Sequence, residues 1–338
     1  MKRFEYVRAN DADHALTAIA ADASAQFLAG GTNVVDLLKY DVATPSLLVD
    51  VGGLSLNRVE VIPNGDVRIG ALTTNAHAAY HSIILERYPL LSSAILAGAS
   101  PQIRNMATTA GNLKQRTRCP YFYDAHSPCN KRAPGTGCPA VQGVNRNHAI
   151  LGASEYCVAT HPSDMCVALA ALNATVQVQN NSGVRDVPIA EFHRLPGDTP
   201  HIDHTVPAQD LIVSVTLPAV QRDSGFSYLK VRDRLSFAFA LVSVASRVTV
   251  DDGRIADAAV ALGGVAHKPW RDTEAEQLLI NRPPSRETFD KFARFVLRDA
   301  RGLSQNNFKI ELARRIMIRA LTQAANGTPQ SQNAKQIR

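Results

Sequence analysis

An α+β fold in two parts is what this sequence predicts, on three observations. Short apolar runs that read as strands are interleaved with runs of helical spacing over roughly the first 220 of the 338 residues. Beyond that point the order changes to strands followed by helices, which sets a boundary near residue 220 and a polar tail over 331–338. The length, with 45% hydrophobic and 20% charged residues, suits two domains with ordinary cores.

Taken in order, FEYVRA is a strand, and Asp11 or Asp13 can cap a helix over HALTAIAADA, because a carboxylate accepts the free amide protons of a first turn. AQFLAGGTNVVDLLKY reads as strand, glycine turn and helix. SLLVDVGG, VEVIP and DVRIGALTT are expected strands, NAHAAYHSIILERY and LLSSAILAGA expected helices, and QIRNMATTAGNL a polar turn. Ser163 is placed to cap a helix through DMCVALAALNA. TVQVQ, VRDVPI and DLIVSVTLP follow as strands, with HRLPGDTPHIDHTVPAQD as a surface loop. The last part gives strands in FSYLKV, FALVSVASRVTV and AAVALGGV, then helices over ETFDKFARFVLRDA and FKIELARRIMIRALTQAA.

The net charge of +6 is spread along the chain without a long basic run, which argues against a nucleic-acid partner. No segment approaches the roughly 20 apolar residues a membrane span needs. The start, MKRFEYVRAN, has no apolar signal region, so export would go with a partner that carries a signal, and a cytoplasmic location is the alternative. Five cysteines, Cys119, Cys129, Cys138, Cys157 and Cys166, fall in one short interval. An odd, local set fits a disulfide framework poorly and a metal site well.

Two polar segments point to a large cofactor. In Ala29, Gly30, Gly31, Thr32, Asn33 and Val34 a double-glycine turn opens a helix, so a ligand can approach the backbone and phosphate oxygens can meet amide donors. Its spacing differs from the G-x-G-x-x-G of nicotinamide sites. The second segment supplies Thr108, Thr109, Gly111 and Asn112.

AGGTN and IRNMATTAGN, followed by HPSD, resemble the flavin-binding middle subunit of the xanthine dehydrogenase and aldehyde oxidoreductase family. The resemblance implies FAD contacts at Ala29 to Val34, Thr108, Thr109, Gly111, Asn112 and Asp164, with Lys230 near the flavin. It also implies a two-subdomain FAD-binding region of the vanillyl-alcohol-oxidase (PCMH) type over 1–220, then an α+β domain over 221–330 like that of carbon monoxide dehydrogenase flavoprotein.

Against that family, residues 114–158 form an insert, expected to be mostly structureless unless something holds it. Cys119, Cys129, Cys138 and Cys157 can supply the four thiolates of a [4Fe-4S] cluster, whereas zinc usually takes paired C-x(2-4)-C knuckles, which the insert lacks. Arg116, Arg118, Lys131, Arg132 and Arg146 are expected to offset the cluster's charge, and Gly135 and Gly137 to turn amides toward sulfur. Cys166, on an apolar helix face, reads as core, and His126, His148 and His161 as surface or hydrogen-bonding residues.

With RCPYFYDAHSPCNKRAPGTGC, the chain is similar to the cluster-bearing FAD subunits of periplasmic aldehyde oxidoreductases. That implies electron transfer inside a heterotrimer, with a large molybdenum-cofactor subunit, a small subunit holding two [2Fe-2S] clusters and an external electron acceptor. No catalytic acid, base or nucleophile is required of this chain beyond its cofactors. A 4-hydroxybenzoyl-CoA reductase-like or xanthine dehydrogenase-like subunit, a stand-alone FAD oxidase and a non-flavin iron–sulfur scaffold remain as alternatives.

Overall fold

A parallel sheet opens the chain, with β1 (Glu5–Arg8), β2 (Gln26–Leu28) and β3 (Leu47–Asp50) in the order β1-β3-β2. The computed structural model describes residues 1–219 and 224–332. Asp11 caps the helix Ala12–Ala20 by accepting from the His14 amide, and Ala15, Leu16 and Ile19 bury one side of that helix against Val49 and Leu54. Burying a leucine or isoleucine in this way contributes about 2 kcal/mol relative to exposure.

The second sheet is antiparallel. Its strands are β4 (Val59–Val61), β5 (Val67–Gly70), β6 (Thr175–Asn180), β7 (Gly183–Pro188) and β8 (Leu211–Leu217), ordered β4-β5-β8-β6-β7. Between β5 and β6 the chain leaves for a helical layer, returns through the cysteine insert, and descends along the helix Asp164–Ala171. Every residue of that helix is buried, so it reads as apolar all round and serves as the central pillar of the largest core. Ser163 caps it by accepting from the Cys166 amide, as expected.

β9 (Gly225–Val231), β10 (Val242–Asp251), β11 (Arg254–Gly263) and β12 (Trp270–Arg271) make the third sheet, order β12-β11-β10-β9. The helices Arg286–Val296 and Phe308–Ala325 cover it with Phe289, Phe292, Ile316 and Met317. Among the described residues these three sheets have separate clusters of buried side chains, and the second and third also touch: Tyr228, Ala245 and Ala261 join the core of the second. The boundary near 220 and positions 333–338 of the tail lie outside the described residues.

Several expectations shift. NAHAAYHSIILERY is two helices, Asn75–Tyr80 and Ser82–Arg87, because His81 adopts an extended backbone (ψ 132°) between them. QIRNMATTAGNL is a pair of short helices, Pro101–Met106 and Thr109–Leu113, each capped by its own hydroxyl, Ser100 and Thr108. The cysteine insert is far from structureless. It contains the helix Pro120–Tyr123, the 3₁₀ turn Pro139–Val141 and a small core of Leu37, Phe122 and Cys129 that ties it to the helix Val34–Lys39. HRLPGDTPHIDHTVPAQD is more than a surface loop, since His193, Val206 and Asp210 within it are buried.

Candidate functional site

The glycine turn and the helix pair behind it are in direct contact. A Cβ on Gly30 would stand 1.8 Å from the Met106 carbonyl oxygen, so only glycine lets the two segments meet, and Gly31 follows with φ +70°. From this junction two adjoining cavities extend. One, of about 790 Å³, is lined by Ala29 to Val34, Thr108, Gly111 and Lys114. The other, of about 1340 Å³, shares Thr32, Asn33 and Gly111 with it and runs past Asn112, Asp164 and Lys230 to Arg234, Phe237 and Phe239.

Three buried polar atoms without protein partners belong to residues that line this space: Asn33 Nδ2, Asn75 Oδ1 and Arg104 Nε. Asn33 Oδ1 accepts from the Arg116 amide at 3.0 Å, and the side chain also lies beside the Tyr123 phenol. Such groups cost about 1–3 kcal/mol each when unpaired, and a polar ligand removes that cost. Asn112 Oδ1 accepts from both Gln115 and Ser163, while no acceptor among the described residues takes its Nδ2. These polar groups beside a double-glycine turn fit a large polar cofactor such as FAD. Asn75 and Arg104 escaped the sequence reading, because a lone Asn and Arg in amphipathic helices carry no local signal.

Asp164 and Lys230, each expected at the flavin, line the same cavity and are each other's partner. Lys230 Nζ donates to Asp164 Oδ2 at 2.7 Å and to the Ala97 carbonyl at 3.1 Å, and Tyr228 Oη donates to Asp164 Oδ1 at 2.6 Å. Both side chains are below 8% exposed. Burial and the neighbouring carboxylate hold the Tyr228 phenol well above its ordinary range. Thr109 lines neither cavity: its hydroxyl and amide both donate to the Thr73 carbonyl, which orients the second helix of the pair.

The four cysteines of the insert line one small pocket. In two places a proline after the cysteine starts a helical turn, whose Phe122 and Val141 amides donate to the Cys119 and Cys138 carbonyls. The nearby amides of Tyr121 and Phe122 also favour the Cys119 thiolate, and those of Ala140, Val141 and Val158 the Cys138 thiolate. Cys157 receives the Ala159 amide. Two imidazoles complete the surround: His148 Nε2 lies 3.2 Å from Cys119 Sγ, and His267 Nε2 3.3 Å from Cys157 Sγ.

Burial pushes the Cys119 thiol up to about 11 and the His148 imidazole down to about 4. Between Cys138 and Cys157, the S–H of Cys157 stabilises a Cys138 thiolate and lowers it to about 6, while Cys157 itself is raised. The only set of three or more His, Cys, Asp or Glu ligand atoms within 4.8 Å of one another, among the described residues, is a different one, His161, Cys166 and His193. Among the four insert thiols Cys138 and Cys157 are in direct contact, and no three of the four lie within 4.8 Å of one another. Four cysteine thiols lining one pocket match the ligand set of an iron–sulfur cluster.

The expected basic surround is mostly committed elsewhere. Lys131 and Arg116 both pair with Asp203, Arg132 donates to the Tyr121 and Phe122 carbonyls, and Arg146 pairs with Asp233. These bonds are what hold the insert. Gly135 and Gly137 do take positive φ, +85° and +105°, yet the Gly137 amide donates to Asn130 Oδ1 and not to sulfur. Cys166 is buried core as read, and burial raises its thiol to about 12. His126 is exposed as expected, whereas His148 faces the cysteines.

A third cavity, about 1220 Å³, links the two sites. Arg118, Ser163, Asp164, Arg234 and Phe239 are common to it and the cavity of about 1340 Å³, and Cys119 and His148 to it and the cysteine pocket.

The family model of the FAD binding domain in molybdopterin dehydrogenase matches residues 2–220, and that of the CO dehydrogenase flavoprotein C-terminal domain matches 227–324. The chain is 47% identical over 326 residues to the aldehyde oxidoreductase FAD-binding subunit PaoB of Escherichia coli (strain K12), covering 96% of this chain and 99% of that one. It is 24% identical to the carbon monoxide dehydrogenase medium chain of Afipia carboxidovorans over 96% of this chain and 98% of the relative. A solved structure, reconstituted CO dehydrogenase from Oligotropha carboxidovorans, superposes with a TM-score of 0.77 at 20% identity, covering 96% and 98% of the two chains, which shows the shared fold.

Proposed function

Because this chain belongs to the family of FAD-binding subunits of molybdopterin dehydrogenases, we propose that it is the FAD and [4Fe-4S] electron-transfer subunit of a heterotrimeric molybdenum aldehyde oxidoreductase. The observation that carries the flavin part is the set of three unpaired buried polar atoms, Asn33 Nδ2, Asn75 Oδ1 and Arg104 Nε, on one cavity behind the glycine turn. FAD, when bound, supplies a two-electron store between one-electron iron–sulfur centres and an external acceptor. Gly30 and Gly31 would bring backbone to the pyrophosphate, Asn33 and Asn112 would offer amide donors, and the Asp164–Lys230 pair would set the polarity of the wall they line.

Cys119, Cys129, Cys138 and Cys157 would hold the cluster, with amide donors at three sulfurs favouring the thiolate form. The shared cavity supports exchange between cluster and flavin. The partners are a large molybdenum-cofactor subunit and a small subunit with two [2Fe-2S] clusters. Similarity to the aldehyde oxidoreductase subunit over nearly the full length of both chains supports aldehydes as the substrates of the whole complex. The proposed compartment is the periplasm, reached with a signal-bearing partner, and cell fractionation with detection of this chain tests it.

The decisive experiment is cofactor analysis of the co-expressed complex isolated without oxygen. The reading expects one FAD and about four irons assignable to this chain, with molybdenum in the complex. Cys129→Ser should remove those irons and leave the flavin. Flavin with zinc in place of iron would overturn the cluster assignment. No flavin at all would overturn the reading entirely.

A further inference from the structure

Three side chains with no part in holding the flavin or the cluster converge elsewhere in the largest core. His161, Cys166 and His193 each present a ligand atom, and the three atoms lie within 4.8 Å of one another. They arrive from separate segments: His161 from the irregular stretch before the pillar helix Asp164–Ala171, Cys166 from that helix, and His193 from just after the helix Ile189–Phe192. His193 meets the other two only through the fold.

Two further observations point to a cation. His193 Nε2 donates to the Leu113 carbonyl at 2.9 Å, which fixes the tautomer and leaves a lone pair on Nδ1; that Nδ1 is buried and no donor faces it. Anchoring the second ring nitrogen on a backbone carbonyl is the arrangement by which proteins orient metal-binding histidines. His161 Nε2 is also buried and unpartnered, and its Nδ1 has only a long 3.4 Å contact with the Ser163 amide, weak enough to be given up. A buried thiol between two unpaired imidazoles gains little from packing alone, because each orphaned nitrogen costs about 1–3 kcal/mol.

We infer that His161, Cys166 and His193 form a buried binding site for a zinc-class divalent cation. Two imidazoles and one thiolate suit a borderline-soft ion, and metal–ligand distances of about 2.0–2.3 Å require the three atoms to draw in by roughly 1 Å. The cation displaces the Cys166 proton on binding, and the proton leaves to solvent. His161 lines the cavity of about 1220 Å³, which supplies the entry path. Bound there, the ion pins the pillar helix, which carries Asp164, to the segment that carries His193. It acts as a staple behind the flavin wall.

Zinc analysis of the intact co-expressed complex, with iron and molybdenum counted separately, tests this. One zinc per copy of this chain is expected, lost in Cys166→Ala and in His193→Gln, and retained in Cys129→Ser. The glutamine keeps a donor for the Leu113 carbonyl, so His193→Gln separates loss of the ion from loss of the fold, which retained FAD monitors. Cobalt(II) added to chelator-treated complex should give a thiolate-to-metal absorption band that Cys166→Ala abolishes. Absence of both zinc and the band overturns the inference. So does zinc that survives both variants, or that disappears only with Cys129→Ser.

Discussion

At Gly30 the missing Cβ decides whether two segments can touch. Gly30→Ala forces a methyl into the Met106 carbonyl, a contact of 1.8 Å against backbone, so the turn must move; the expected cost is about 3 kcal/mol, and the purified variant should lose most of its FAD. Gly135→Ala, where nothing lies within 4 Å and only φ +85° is strained, should cost about 1 kcal/mol and keep the flavin. Equal flavin loss in both variants would show that the close approach is not what matters. Asp164 and Lys230 make a second contrast. Either Asp164→Asn or Lys230→Met leaves a buried charge unpaired and should destabilise by about 3 kcal/mol, whereas the double substitution should cost less than the sum. Thermal unfolding of the three variants measures the coupling, and strict additivity would mean that the pair does not interact.

The elements show how the insert is kept in place without a regular sheet or long helix. Its two short turns begin where proline follows cysteine, and its cations close onto carbonyls, onto Asp233 and, for Lys131 and Arg116, onto one shared carboxylate. Asp203 is that carboxylate, and it reaches from the loop after β7 to both Lys131 and Arg116. Although burial alone would raise its pKa, the two cations hold it well below the usual carboxylate range. A lowered folded value means that the stabilisation is complete above the unfolded pKa of about 4 and is lost as pH falls below it. Acid should therefore release the insert, read as faster proteolysis within 114–158 below about pH 4. Asp203→Asn should show the same cleavage at neutral pH and no further acid step. An unchanged acid profile in that variant would remove Asp203 from this role.

Across the whole molecule, the flavin cavity is walled by the glycine turn beside the first sheet, the helices over the second and Lys230 of the third. A ligand there bridges separately built cores. FAD at a hundredfold excess over its Kd should add about 2.7 kcal/mol, seen as a rise of several degrees in the melting temperature of flavin-depleted protein. No shift would mean that the cavity does not bind it.

The α+β class, most strands, the glycine turn, the Ser163 cap and the four cysteines were all determined by the sequence alone, because each rests on local periodicity, capping chemistry or residue type at short spacing. Only the tertiary structure decided that Asn75 and Arg104 face the same space as Asn33, that His267 stands beside Cys157 and that Asp203 locks the insert. It also decided that the insert is ordered and that most of its cations are already bonded. These are meetings of segments tens to more than a hundred residues apart, where the side chains look ordinary in their own neighbourhoods; what makes them a site is the packing of the sheets, which no local pattern encodes.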